Sequence, residues 1–297
     1  MLTRRRFIAI SAALAPSLAL ADTRLHVETG IALGANVTLR LDHPEAPRLA
    51  ALAMAEIRRL EKIFSLYLPD SALSRLNRDA VLKAPPFEIL ECLSIAGTVH
   101  HASGGRFDPT VQALWAAHAR ATVRGQPLSD SERTAALALT GWQGVTLSPG
   151  AVVLRPGMAL TLNGIAQGYI ADRVAALLAS HGLTRALIDT GEMVALPEGD
   201  WPVTLPSGDS LPLGGRALAT SAPLGMTFGG DGGTSHILNP ATGYPALARW
   251  RGVTVSAPSA ALADALSTAA CLMEVKEDIR ALCDRFPVTT LESAVTI

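Results

Sequence analysis

The sequence predicts an α+β fold, a single compact unit with antiparallel or mixed sheets and several long helices. Helical patterns dominate the first half, whereas short apolar runs separated by Gly, Pro, Asp and Ser dominate from Val145 onward. Because helices and strands are segregated more than they alternate, α+β is favoured over a doubly wound sheet. An apolar content of 49% with 17% charged residues is typical of a globular chain and argues against disorder.

The first 21 residues form a separate unit at the N-terminus. Thr3–Ile8 fits a twin-arginine export motif, a short apolar segment follows, and Ala19–Ala21 fits an A-x-A cleavage site. The apolar segment lacks the roughly 18 unbroken apolar residues of a spanning helix. We therefore expect a signal peptide over 1–21, a mature periplasmic domain over 22–297, and no membrane span after cleavage. A plain Sec signal or an N-terminal anchor is the alternative.

Net charge and cysteine content limit the classes of function that the protein can have. Loss of the signal peptide removes three arginines and no acid, so the formal net charge falls from −1 to −4. This balance argues against a nucleic-acid binder, which carries a clustered basic face. Cys92, Cys271 and Cys283 lack C-x-x-C spacing and are expected to be small core residues. One disulfide remains possible in an oxidising compartment.

The first half of the mature chain predicts strands followed by long helices. Leu25–Leu41 predicts one or two strands. Pro44–Phe64 predicts an amphipathic helix, because its apolar residues recur at spacings of three and four and charged residues occupy the other face. Pro86–Ala102 predicts a second long helix that ends at Gly104–Gly105, where left-handed backbone is easiest for glycine.

Two capping signals lie in the loops between these helices. Asp70 or Ser71 is expected to cap a short helix. Asp108 is expected to be an N-cap with Pro109 at the first helical position. Residues 115–140 are Ala/Arg-rich and predict helices with loops that form a solvated scaffold without chemistry.

The second half predicts short strands interrupted by two strong helices. The helices are expected near Ala166–Ser180, closed by Gly182, and near Ser259–Met273. The predicted strands are Ala151–Leu154, Met158–Leu162, Arg185–Thr190, Trp201–Leu205, Arg216–Thr220 and Arg251–Ser256.

A glycine-punctuated turn, Leu162–Val174 (LNGIAQGYIADRV), leads into the first of these helices. A strand, a glycine turn and a helix can aim free backbone N–H groups at an anion. Gly164 and Gly168 are also what tight packing requires, and a lone glycine pair is a weak motif. The sequence here leaves both interpretations open.

Three side chains in the second half are candidates for chemistry. His236 precedes an Asn-Pro-Ala-Thr-Gly turn and is a candidate general base, although a lone histidine is more often a surface or core group. Asp264 and Thr268 lie four apart, on one face of a helix, and their oxygens suit a hard cation such as Mg²⁺. The alternative is a solvated aspartate and a threonine bonded to its own helix.

Gly229–Gly233 predicts a hairpin turn, not a phosphate loop, because no Lys and no helix follow.

Six motifs occur along the chain in the order FSLYLPDSALSRLN, GGRFDPTV, LNGIAQGYIADRV, LATSAP, SHILNPATGYP and ADALSTA. Together they resemble the ApbE family of FAD:protein FMN transferases. The resemblance runs from about Leu33 to the C-terminus and implies an ApbE-like fold. It implies transfer of FMN from FAD to a Thr or Ser hydroxyl of an acceptor protein, with Mg²⁺ as cofactor and AMP released.

The resemblance also implies a role for each matching residue. His236 would deprotonate the acceptor hydroxyl, and the side chains of Asp264 and Thr268 with the Gly164 carbonyl would hold the metal. The positions that would line FAD are Tyr67, Arg106, Phe107, Asp108, Thr161, Gln167 and Leu238.

The chain departs from the family pattern at several of these positions. Thr161 stands where the family usually has Asp, and Gln167 where Lys is common, so neither brings a charge to the phosphates. Ala222 replaces a glycine and Leu33 a methionine. The Asn-Gly-Ile-Ala-Gln-Gly version with twin-arginine export resembles the NosX branch, which implies the membrane protein NosR as acceptor. An FAD pyrophosphatase and a non-catalytic periplasmic flavin carrier are the alternatives.

Overall fold

The computed structural model describes residues 25–229 and 233–297. The expected export motif and cleavage site lie outside the described residues, as does the centre of the glycine-rich Gly229–Gly233 segment. Among the described residues, no helix has the length and apolar character needed to cross a membrane.

Most helices lie in the first half of the chain and most strands in the second. The helices are α1 (Ala46–Phe64), α2 (Ala72–Asp79), α3 (Phe87–Ala102), α4 (Gln112–Val123), α5 (Asp130–Leu137), α6 (Ala166–Ser180), α7 (Ala260–Ala270) and α8 (Lys276–Cys283). The strands are β1 (Leu25–Ala32), β2 (Ala35–Asp42), β3 (Val81–Lys83), β4 (Val145–Leu147), β5 (Ala151–Leu154), β6 (Ala186–Asp189), β7 (Met193–Ala195), β8 (Trp201–Thr204), β9 (Ser210–Leu213), β10 (Ala217–Ser221), β11 (Thr227–Phe228), β12 (Thr234–Ser235), β13 (Trp250–Ala257) and β14 (Thr290–Thr296).

A seven-stranded antiparallel sheet, in the order β1-β2-β6-β7-β10-β13-β14, is the centre of the fold. Small antiparallel sheets, β3-β5-β4, β8-β9 and β11-β12, surround it. The α+β class predicted from the segregated patterns is confirmed. Within the described ranges the single parallel contact is an isolated bridge between Val111 and Ala159.

Strand β2 shows how alternation builds the core and leaves a polar face. Val37, Leu39 and Leu41 are buried. Asn36, Thr38 and Arg40 alternate with them and therefore point to the opposite face of the sheet. That polar face becomes one wall of the cavity described below.

Helices α6 and α7 pack closely against each other. An added Cβ at Gly168 would lie 2.2 Å from the Ala260 carbonyl oxygen, so only glycine fits there. The Asp172 carboxylate accepts backbone N–H bonds from Ala260 (2.7 Å) and Ala261 (2.9 Å) at the start of α7. Burial raises the pKa of Asp172 to about 6, and these N–H bonds oppose that rise. Gly168 thus serves close packing at this contact.

Helices α4 and α5 form a small second core with the His236 region. Leu114, Ala117 and Ala136 pack with Phe228 and Leu238. The expectation that residues 115–140 are only a solvated scaffold was therefore wrong, because their apolar face supports the loop that follows the candidate base.

Two element predictions need correction. Helix α4 begins at Gln112 instead of Pro109, because the Asp108 side chain closes a turn on Thr110. The predicted strand Met158–Leu162 is irregular apart from the bridge at Ala159. Ser71, one of the two residues predicted to cap a short helix, is the N-cap of α2.

The C-terminal segment adds two elements that the sequence patterns did not reveal, α8 and β14. Strand β14 pairs with β13 and completes the central sheet. Cys92, Cys271 and Cys283 are all buried and free, in agreement with their expected role as small core residues.

Candidate active site

A cavity of about 490 Å³ lies between the polar face of the central sheet, the Leu162–Val174 turn and helix α7. Its size falls within the range of small-molecule sites. Every residue that the sequence predicted for the site lines it: Tyr67, Arg106, Phe107, Asp108, Thr161, Gly164, Gln167, His236, Leu238, Asp264 and Thr268. The fold thus brings together residues that lie far apart in the sequence, while the role of each remains a prediction.

Asp264 is the most deeply buried acid of the cavity, with 3% of its surface exposed. Its Oδ2 atom is buried and has no hydrogen-bond partner among the described residues. Burial raises the pKa of Asp264 to about 8, and a backbone N–H bond from Gly168 acts against that rise. A buried carboxylate oxygen without a donor is costly, so this site is suited to a cation.

The Thr268 hydroxyl lies one helical turn from Asp264 and faces strand β10. Its Oγ1 is 3.2 Å from Ser221 Oγ, which is also 2.7 Å from Ser267 Oγ. Within α7, the Ser267 hydroxyl bonds back to its own helix and donates to the Asp264 carbonyl at 3.0 Å. The alternative in which Thr268 bonds to its own helix does not match this arrangement.

The backbone at Gly164 comes close to α7. A Cβ added to Gly164 would lie 2.8 Å from Thr268 Oγ1 and 3.4 Å from the Phe107 ring. The turn is held from the other side by the Thr161 N–H, which donates to the Pro109 carbonyl at 2.8 Å. Glycine is therefore required here so that the turn, Asp264 and Thr268 form one wall.

His236 lines the same cavity from another element, directly after the short hairpin β11–β12. We call the wall formed by Gly164, Asp264 and Thr268 the cation end of the cavity, and the wall around His236 the base end. Its Nδ1 is 2.8 Å from the Met226 carbonyl oxygen, so the ring proton of the neutral form is assigned to Nδ1. The other ring nitrogen then keeps its lone pair. Burial lowers the pKa of His236, and the Met226 and Pro223 carbonyls partly counter this effect. A neutral, partly buried imidazole is suited to act as a general base.

The loop after His236 is fixed to α4 and α5 by side chains. Arg133 donates to the Thr242 carbonyl at 2.7 Å, and its guanidinium lies 4.2 Å from the centre of the Tyr244 ring. His118 Nε2 bonds to the Gly243 carbonyl at 2.9 Å. The rigid corner that the Pro-Ala-Thr-Gly sequence predicts is thus supported by another part of the chain.

The other predicted residues are distributed over the cavity wall. Tyr67 is 58% exposed at the rim, whereas Phe107 and Leu238 are buried. Asp108 Oδ1 accepts from the Thr110 N–H (2.8 Å) and hydroxyl (2.6 Å), so this acid mainly shapes the loop. Gln167 lies against Gly191, where an added Cβ would be 3.0 Å from Oε1.

Ser221 and Glu192 are among the polar residues of the cavity that were not predicted as site residues. Ser221 lies in the LATSAP motif, but its contact with Thr268 depends on strand pairing that the motif does not show. Glu192 is 8% exposed and its Oε2 accepts the Thr220 N–H at 3.1 Å. No local pattern marks Glu192, because its position depends on the long-range pairing of β7 with β10.

The acidic residues that line the cavity outnumber the permanently cationic ones. Among the described lining residues the acids are Asp108, Asp189, Glu192 and Asp264, and the permanently cationic side chains are Arg40 and Arg106. No group of three or more His, Cys, Asp or Glu in the described ranges is arranged for a metal. A cation here would therefore depend on one carboxylate, a hydroxyl and a backbone oxygen. That oxygen set fits Mg²⁺, which keeps several places for water and phosphate.

Comparison with known proteins gives one consistent result. A model of the ApbE family matches residues 32–290. The chain is 30% identical over 245 residues to an FAD:protein FMN transferase of Klebsiella pneumoniae (strain 342), covering 76% of this chain and 75% of that protein. It is 32% identical over 271 residues to an FAD:protein FMN transferase of Treponema pallidum (strain Nichols), covering 78% and 72%. The structure of the Pseudomonas stutzeri flavinyl transferase ApbE, apo form, matches with a TM-score of 0.77 at 26% identity, covering 92% and 94%.

Proposed function

This chain belongs to the ApbE family, and on that premise we propose that it is an FAD:protein FMN transferase that moves FMN from FAD to a Thr or Ser hydroxyl of an acceptor protein and releases AMP. Transfer of a flavin from FAD to a protein is supported by relatives that bear this name. The Mg²⁺ requirement and the hydroxyl acceptor are the finer parts of the proposal.

The unpartnered Oδ2 of Asp264 is the observation that carries the proposal. It lies in the wall of the cavity, and because burial raises the pKa of this carboxyl to about 8, a bound cation would hold it ionised at neutral pH. Asp264, Thr268 and the Gly164 carbonyl would hold Mg²⁺. Bound there, Mg²⁺ would neutralise pyrophosphate charge and favour the departure of AMP.

His236 supplies the proton transfer in this proposal. The acceptor hydroxyl gives its proton to the free ring nitrogen, while its oxygen forms a bond to the FMN-side phosphorus. The bond from that phosphorus to the bridging oxygen breaks, and the oxygen leaves with AMP. The Met226 carbonyl holds the Nδ1 proton and fixes the ring in the orientation needed for this step.

One assay tests the proposal against its two alternatives. The purified mature protein is incubated with FAD, Mg²⁺ and a candidate acceptor domain. Covalent flavin fluorescence on a denaturing gel, with stoichiometric AMP, is the expected result. Free FMN with AMP would instead identify an FAD pyrophosphatase, and bound but unchanged FAD would identify a carrier.

Asp264→Ala separates chemistry from flavin binding in the same assay. We expect this variant to give neither covalent flavin nor AMP above background, because the deeply buried carboxylate of the cation end is lost. Labelling by Asp264→Ala at the rate of the parent protein would refute a cation site at this position.

We further propose that the protein acts in the periplasm and that NosR is its acceptor. The twin-arginine motif and the A-x-A site Ala19–Ala21 support export. Replacing Arg4 and Arg5 by Lys should remove covalent flavin from the periplasmic side of NosR. Unchanged flavinylation of NosR would count against this assignment.

A further inference from the structure

Three hydroxyl groups form a chain that leads away from the cation end of the cavity. Thr268 Oγ1 is 3.2 Å from Ser221 Oγ, and Ser221 Oγ is 2.7 Å from Ser267 Oγ. Ser267 Oγ is 3.0 Å from the Asp264 backbone carbonyl, which can only accept. Ser267 is fully buried, so water does not compete for its proton.

The three contacts are all hydrogen bonds in one arrangement of the protons. Each hydroxyl has a single proton to donate. Ser267 donates its proton to the Asp264 carbonyl, so Ser221 must be the donor to Ser267. Ser221 has then used its own proton, and Thr268 must be the donor to Ser221. The proton of Thr268 therefore points toward β10.

We infer that Ser221 is a positioning residue that turns the Thr268 hydroxyl so that its lone pairs, not its proton, face the cation site. This assignment rests on the proposed function, in which Asp264 and Thr268 hold Mg²⁺. A hydroxyl in this orientation is a ligand for a cation and cannot donate to a phosphate oxygen. A cation ligand must offer a lone pair. Directing the Thr268 proton toward Ser221 therefore excludes, before the cation binds, the hydroxyl rotamer that would point this proton at the cation.

Strand β10 holds Ser221 at the required position. Ser221 lies opposite Val253 in the antiparallel ladder of β10 and β13, and the N–H of the neighbouring Thr220 donates to Glu192 Oε2 at 3.1 Å. Backbone pairing and this bond fix the strand on which Ser221 lies. The orientation of Thr268 is thus determined by the interior of the sheet.

The test measures cation affinity directly, with Mn²⁺ as the probe and electron paramagnetic resonance as the readout, in the absence of FAD. Ser221→Ala should weaken Mn²⁺ binding about 5- to 10-fold, the cost of one lost hydrogen bond. In the transfer assay the same variant should need more Mg²⁺ for half-maximal rate while keeping most of its rate at saturating Mg²⁺. A structural defect alone would not be corrected by added Mg²⁺.

Two control variants keep the inference falsifiable. Ser221→Thr retains the hydroxyl and should restore Mn²⁺ affinity. Thr254→Val removes a buried hydroxyl from the same strand pair without touching Thr268, and should lower the melting temperature but leave Mn²⁺ affinity unchanged. Equal Mn²⁺ affinity of Ser221→Ala and the parent would overturn the role of Ser221 while the cation site stands. A parent protein that binds no Mn²⁺ would overturn the cation site itself, and this assignment with it.

Discussion

The two ends of the cavity are built in different ways. At the cation end, Asp264 and Thr268 lie on α7, which is locked to α6 through Gly168 and Asp172. At the base end, His236 follows a hairpin of two-residue strands, and the loop after it is held by side chains of α4 and α5. Backbone packing fixes one end, whereas a few polar contacts fix the other.

This difference matches what each end would do in the proposed reaction. A cation ligand must keep its geometry, because Mg²⁺ demands near-ideal coordination. A general base must meet a hydroxyl that arrives on another protein, and a loop at the surface is where such a partner can reach. We therefore predict that a substitution at one end can impair its role while the other end keeps its own.

The largest effect is expected from removing the proposed base. His236→Ala should lower the rate of covalent transfer about 10²- to 10⁴-fold, the usual cost of losing a general base. Mn²⁺ affinity and FAD binding should remain near those of the parent, because α7 and the Gly164 turn are untouched. Stopped-flow flavin fluorescence with the acceptor, beside a Mn²⁺ titration, measures both.

His236→Ala also distinguishes a base from a group that only binds the acceptor. A binding group would raise KM for the acceptor and leave kcat unchanged. A variant that labels the acceptor at the parent kcat would exclude His236 as the base, and a loss of Mn²⁺ affinity would show that the two ends are not independent.

The resemblance to the family predicted which residues meet in the cavity, and for His236, Asp264 and Thr268 a local pattern pointed the same way. Helix spacing placed Asp264 and Thr268 on one face, and the Pro-Ala-Thr-Gly turn marked the loop after His236. Long amphipathic helices were also predictable, since α1 repeats its apolar residues at helical spacing. Each of these features depends only on residues that are close together in the sequence.

Contacts between distant strands could not be predicted in the same way. The Ser221 contact with Thr268 joins β10 to α7, and Glu192 depends on the pairing of β7 with β10. The start of α4 was placed too early because the Asp108 side chain bonds to Thr110, where it was expected to cap a helix. The first two contacts depend on long-range pairing, and the start of α4 depends on which of two local bonds the Asp108 side chain makes.

A smaller effect is expected from loosening the loop at the base end. Arg133→Ala removes the bond to the Thr242 carbonyl and the contact with the Tyr244 ring. The transfer rate should fall about tenfold, since a misplaced catalytic group loses part of its positioning advantage. Mn²⁺ affinity should not change. Initial rates at saturating FAD and Mg²⁺ measure the first effect.

Arg124→Ala is the matched control for Arg133→Ala. Arg124, the residue after α4, pairs with Glu132 of α5 at 2.8 Å, but this exposed pair does not touch the loop. Exposed pairs contribute little to stability, so this variant should transfer flavin like the parent. Equal losses in both variants would mean that α4 and α5 matter only for folding.

The smallest effect concerns pH at the base end. Burial lowers the pKa of His236 below the ordinary histidine value of about 6.5, so the neutral form that accepts a proton persists into weakly acidic solution. At saturating Mg²⁺ and FAD, kcat at pH 6.5 should therefore exceed half of its plateau, and the decline should come at lower pH. Saturation with Mg²⁺ keeps proton competition at Asp264 out of the profile. A midpoint at or above pH 6.5 would contradict this expectation. Either His236 would then be more open to water than its contacts indicate, or another group would control the rate. The profile of His236→Ala decides between the two, because the midpoint disappears with the imidazole only in the first case.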